Sequence, residues 1–164
     1  MAESTSVQIF LGLAPIFAAL LTFILLQTLG EWVRRNRLRS HGLESLIAEL
    51  EQNREHQKSS IYIELDDEAL RRFRRLGFLF ELDSDMKEDL MRLYSLIHLK
   101  NSLLTYYRDV GVRLLATEYE ASQHPTKREK DLLDILDLIK DAKCKIDKKI
   151  EVVLPKLKGL LEDP

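Results

Sequence analysis

Residues 7–29 read VQIFLGLAPIFAALLTFILLQTL, 23 consecutive positions without a charged side chain. A helix rising ~1.5 Å per residue needs roughly 20 apolar residues to cross a hydrocarbon core of about 30 Å. This run reaches about 34 Å at that rise, enough to span with modest tilt. Its polar interruptions are mild: Gln8, Thr22, Gln27 and Thr28. A threonine hydroxyl can bond a carbonyl of the preceding turn, and Pro15 is tolerated in a membrane helix through local adjustment. The reading is one transmembrane helix. A secretory signal would start basic and end in a small-residue cleavage site, whereas Met1–Ser6 carries only Glu3 and Leu29-Gly30-Glu31-Trp32 has no such pattern. A buried core helix fits poorly too, because Trp32, a headgroup-level residue type, and a basic cluster follow at once.

Arg34, Arg35, Arg37 and Arg39 lie within ten residues of the run, and nothing basic precedes it. Positive charge stays on the cytoplasmic side. The expected order is therefore a short extracytoplasmic N-terminus (1–6), a transmembrane helix (7–29), a basic juxtamembrane segment (30–42) and a cytoplasmic helical domain (43–164). The expected location is the cytoplasmic membrane of the cell, single-pass, with the lipid bilayer as first partner. Anionic headgroups could also attract these four arginines, at about 1 kcal/mol each near the surface.

About 125 residues follow the arginines, sufficient for one small domain with its own core. Every Lys and Arg lies beyond residue 30, as do all acids except Glu3, so this part is close to neutral. Balanced charge leaves no footprint for nucleic acid. Cys144 is the sole cysteine, which rules out an intrachain disulfide or a cysteine-based zinc site and suits a reducing compartment.

The region beyond residue 42 reads as helix. Leu43, Leu46, Ile47 and Leu50 repeat at helical period, predicting an amphipathic helix over 43–57 that can continue from the span, His41-Gly42 being the one weak point. Ile61-Tyr62-Ile63 has strand-forming side chains but no second strand to pair with, so an extended linker is expected. Asp66 or Asp67 is expected to cap a short helix over 67–77 that stops at Gly77. Asp83 or Ser84 caps a long helix over 84–120, striped by Leu90, Leu93, Tyr94, Ile97, Leu104, Tyr107, Val112, Leu115 and Tyr119. A turn at 121–125 leads to Thr126 and Glu129 at capping-box spacing, then to a helix over 127–154 that Pro155 ends or kinks, with Leu157, Leu160 and Leu161 indicating a further packed turn or two. Two long apolar stripes joined by a short turn predict an antiparallel hairpin. The fold class is all-α: one N-terminal transmembrane helix followed by a small antiparallel cytoplasmic helical bundle, with coiled-coil-like packing.

The six glycines are scattered, so neither G-x-G-x-x-G nor a P-loop can be written. His41, His56, His98 and His124 lie in separate segments without a Glu-x-x-His pair or H-E-x-x-H. Cys144, between Lys143 and Lys145, reads as a core-edge side chain. No catalytic residue, metal, cofactor or small-molecule substrate is expected, and the chain is read as a non-enzyme.

Interaction candidates remain. Arg71, Arg72, Arg74 and Arg75 crowd around Phe73 in a basic amphipathic turn that could rest on a membrane or an acidic partner, although flanking acids could neutralise it. Lys140 to Lys158 carries a lysine excess that reads as the solvated side of the last helix, with a lipid-facing role as the alternative. Asn53 and Asn101 fall on apolar stripes, where polar residues lower stability but fix register. Asn101 is expected to be mostly buried and bonded to another helix.

Leu46-x-x-Glu49-Leu50-x-x-Asn53-x-Glu55, Gly77-Phe78-Leu79-x-x-Leu82, Leu93-Tyr94-Ser95-Leu96-Ile97 and Asn101-Ser102-Leu103-Leu104 resemble a loose group of function-unknown prokaryotic proteins with one N-terminal transmembrane helix and a small helical cytoplasmic domain. The resemblance covers about residues 8 to 104. It implies a prokaryotic inner-membrane protein and supplies no activity and no functional residues. The expected function is a membrane-anchored, non-enzymatic adaptor or scaffold presenting a helical domain to a protein partner, or to a second copy of itself. The alternative is a membrane-active effector, holin-like or a toxin component, assembling through Ala14-x-x-x-Ala18 in the span.

Overall fold

The computed structural model describes the backbone of residues 2–117 and 127–162, with side chains for 15–111 and 130–162. The expected turn at 121–125, the Thr126–Glu129 pair, the side chains of Val112, Leu115 and Tyr119, and that of Ala14 lie outside the described residues. The elements are α1 (Ala2–Ser59), α2 (Glu68–Arg75), a 3-10 turn (Phe78–Glu81), α3 (Ser84–Thr117) and α4 (Lys127–Glu162). No strand occurs among the described residues. The chain divides into two units, residues 1–40 and 41–164.

In the first unit, α1 is long and apolar enough to cross a membrane. Nine large apolar side chains from Ile16 to Leu29 are each more than half exposed. Polar groups inside the run are satisfied locally: the Thr22 hydroxyl donates to the Ala18 carbonyl at 2.8 Å, and that of Thr28 to Ile24 at 2.9 Å. These bonds return to the same helix, so neither hydroxyl needs water.

The second unit is built on the face of α1 that carries Leu43, Leu46, Ile47 and Leu50, all buried. These residues join Phe73, Phe78, Leu90, Leu93, Ile97, Ile146, Ile150 and Leu157 in the main core. A smaller cluster joins Leu104 of α3 to Ile135 and Ile139 of α4. Asp89, near the start of α3, meets Lys149 and Lys156 late in α4. α3 and α4 therefore run in opposite directions.

Helix continues through Gly42. A Cβ there would lie 2.8 Å from Cδ2 and 3.1 Å from Cε2 of Phe73, so the glycine admits the buried ring of α2 rather than breaking the helix. α2 ends where Gly77 takes φ +82°, the left-handed conformation that glycine adopts without a Cβ penalty. Asp83 Oδ1 accepts the Met86 amide at 2.7 Å and caps α3.

Two expectations are corrected. Neither Asp66 nor Asp67 caps α2 with its side chain: Asp67 is the N-cap residue but makes no capping bond, and its carboxylate takes the Arg71 guanidinium instead. The last helix is longer than 127–154: it passes through Pro155 and runs to Glu162, taking in the further packed turns expected at Leu157, Leu160 and Leu161. Leu154 and Leu157 on either side of Pro155 are buried, and their packing offsets the lost backbone bond.

Candidate functional site

The densest polar arrangement surrounds the segment between α1 and α2, residues 60–67. Asn53 of α1 donates from Nδ2 to the Asp66 carbonyl and accepts the Asp66 amide at Oδ1, both at 2.8 Å. Asn101 of α3 does the same for Leu65, accepting its amide at 3.0 Å and donating to its carbonyl at 2.8 Å. A carboxamide carries one acceptor and one donor group at peptide spacing, so each asparagine acts as a surrogate strand. Adjacent residues of an extended segment direct their backbone groups to opposite edges. One asparagine from each helix therefore holds one edge. The expectation that Asn101 would be mostly buried and bond another helix is corrected: it is half-buried and bonds the linker.

Cations hold the rest of the segment. Lys100 Nζ donates to the Ile63 carbonyl at 2.6 Å. Arg108 donates to the Tyr62 carbonyl at 2.9 Å and pairs with Glu64. Lys100 is fully buried. Burial, then the nearby Lys143 charge, lowers its ammonium to a pKa of about 8.

Glu49 supplies the cap that α2 lacks. Its Oε2 accepts the Ala69 amide at 2.6 Å, and its Oε1 accepts the Tyr94 hydroxyl at 2.5 Å. Burial raises the Glu49 pKa, and burial followed by the Glu49 charge raises that of the Tyr94 phenol. The carboxylate thus joins α1, α2 and α3. Sequence reasoning missed Glu49 and Lys100, although both show one signal: a charged residue at a stripe position, after Leu46 and after Ile97 respectively.

Gln57 is also buried, one turn beyond Asn53, yet neither of its side-chain polar atoms has a partner among the described residues. Leaving buried polar atoms unpaired costs about 1–3 kcal/mol each, whereas an apolar group of similar shape removes that penalty. Gln57→Leu is therefore expected to raise the unfolding free energy by about 1–2 kcal/mol, read by denaturant titration. A loss of similar size would show that Gln57 holds an ordered water or ligand.

The basic candidates separate. Phe73, expected with the arginines as an interaction residue, is core: it is 1% exposed and its ring centroid lies 5.6 Å from that of Phe78. Arg71 pairs with Asp67, while Arg72, Arg74 and Arg75 are exposed. Trp32, Arg34, Arg35 and Arg37 are exposed and Arg39 is half-buried. Three of the seven lysines read as the solvated side of the last helix instead bond other helices. Lys149 and Lys156 reach Asp89 at 2.5 and 2.7 Å, and Lys158 reaches Glu51 of α1 at 2.7 Å.

Hydrogen bonds from Lys149 and Lys156 hold Asp89 near a pKa of about 2, against the 3.8 of a free carboxyl. Its folded pKa is the lower one, so its contribution is complete above about pH 4 and lost as pH falls through about 2. Asp89→Asn should therefore lower the melting temperature at pH 6 and flatten the acid limb of stability against pH. A wild-type curve that is flat from pH 4 to pH 2 would refute this.

Among the described residues no group of His, Cys, Asp and Glu side chains converges to hold a metal. No protein-family model matches the chain, and neither a curated protein nor a solved structure does.

Proposed function

We propose that this is a single-pass membrane-anchored protein whose helical unit, a small antiparallel bundle, serves as a non-enzymatic adaptor or scaffold on the cytoplasmic side. The observation that carries the anchor is the bare apolar surface of α1. Nine large apolar side chains between Ile16 and Leu29 are more than half exposed. At about 1.5–3 kcal/mol for each such side chain taken out of water, lipid supplies more than about 10 kcal/mol. The basic cluster from Arg34 to Arg39 supports a cytoplasmic side for residues 41–164.

Docking is favoured by apolar surface left over on the helical unit. Met91 and Leu99 on α3 are 38% and 50% exposed and line a shallow apolar groove with Leu96, Ser95, Glu88 and Arg92. Exposed apolar surface of this kind marks interaction sites. Apart from Gln57, the buried polar side chains Glu49, Asn53 and Lys100 of the same unit are engaged in holding the linker and α2, which suits a structural role.

Two measurements test the reading. Alkaline carbonate washing should leave the full-length chain in the membrane fraction, with a C-terminal tag protected from protease in intact cells. Release of the chain, or cleavage of the tag from outside, would overturn the anchor or its orientation. Induction should leave the membrane potential unchanged while crosslinking recovers a defined partner. Rapid depolarisation would instead identify the membrane-active effector.

A further inference from the structure

The surface around α2 combines unspent cations with bare apolar side chains. Arg72 and Arg74 have no ion pair or side-chain hydrogen bond among the described residues, and Arg75 donates only a 3.4 Å bond to the Arg71 carbonyl. Immediately beyond them Leu76 is 44% exposed and Phe80 is 71% exposed, with Lys87 Nζ 5.6 Å from the centroid of the Phe80 ring. Phe80 follows Phe78 and Leu79, both buried, so the 3-10 turn is anchored in the core while presenting this ring to solvent.

We propose that this face of α2 and the 3-10 turn binds the headgroups of anionic phospholipids. Arg72, Arg74 and Arg75 take the phosphates, and Leu76 and Phe80 enter the interfacial layer. The inference rests on the membrane-anchored reading above and gives the bilayer a second point of contact.

Two arguments favour lipid over an acidic protein. Cations beside a protruding aromatic and an aliphatic side chain match an interface that is charged at its surface and apolar just below it. The chain also supplies proximity in sequence. α2 packs through Phe73 against Gly42, which lies only 13 positions after Leu29, so the patch belongs to the part of the chain that follows the span directly in sequence. Glu68 on the same helix and Glu81 on the 3-10 turn are exposed and oppose the attraction, and Asp67 is already paired with Arg71. Three arginines therefore remain, each contributing roughly fivefold to partitioning onto an anionic surface.

The test uses the full chain carrying Trp32→Phe and Phe80→Trp, so that the lone indole reports on position 80. It is reconstituted into vesicles of brominated phosphatidylcholine with or without brominated phosphatidylglycerol. Quenching should be strong in the anionic vesicles, fall in neutral ones, and weaken in 0.5 M salt. Adding Arg72→Gln, Arg74→Gln and Arg75→Gln should remove the anionic preference, a loss of about 100-fold in partitioning; circular dichroism checks that these exposed substitutions leave the helices intact. Equal quenching in both lipids, or none in either, overturns the proposal. Shielding of position 80 from a water-soluble quencher in native membranes but not in vesicles assigns the face to an acidic protein and also overturns it. Protein that never floats with the vesicles refutes the anchor instead, so the two failures are distinguishable.

Discussion

Phe73→Ala is expected to destabilise the helical unit by about 3–5 kcal/mol, the range for truncating a fully buried aromatic side chain. Phe73 is 1% exposed, packs against Phe78 and fills the space above Gly42. Gly42→Ala provides the complementary test, because two effects of opposite sign compete there. Alanine in a helix interior is worth about 1 kcal/mol over glycine. Its Cβ would sit 2.8 Å from a buried ring carbon, and overpacking of that kind costs about 1–3 kcal/mol. The clash should win in the native background, giving a net loss of about 1 kcal/mol. With Phe73→Ala in place the clash is gone, and the same Gly42→Ala change should stabilise. Urea unfolding of the full chain in detergent micelles, followed by circular dichroism, measures both. Gly42→Ala stabilising in both backgrounds would show that the ring yields freely.

The second large effect is expected at the linker. Asn53→Leu removes both partners of Asp66, leaving a backbone amide and a carbonyl without the fully buried carboxamide that held them. At about 1–3 kcal/mol for each orphaned group, the loss should be about 2–5 kcal/mol. Asn101→Leu removes an equivalent pair at Leu65, but Asn101 is half-buried and water can take over part of its role. Its cost should be the smaller of the two. Both asparagines bond within one chain, so neither substitution should change the oligomeric state. An Asn101→Leu loss exceeding that of Asn53→Leu, or a change of oligomer size, would contradict this assignment.

These two sites show why parts of the chain were legible in advance. Stripe residues such as Leu46, Leu50, Ile97, Ile139 and Ile146 sit at helical period and are all buried, because a repeating apolar face has one way to leave water. The polar stripe residues were conspicuous for the same reason, but their partners were not. Asn53 and Asn101 meet a segment with no period of its own, and Glu49 reaches the amide of Ala69, 20 residues away. Phe73 was misjudged because five neighbouring positions hold four arginines; on a helix those side chains radiate outward while the ring points in.

Local chemistry alone determined the apolar N-terminal run, the all-helical character and a cap of α3 at Asp83 or Ser84, because each depends on side chains within a few residues of one another. Tertiary structure alone decided that Glu49 caps α2, that two asparagines and Lys100 hold the linker, and that Gly42 makes room for Phe73. Each of those outcomes balances burial against backbone hydrogen bonding between distant segments, and that balance exists only once the segments are packed together.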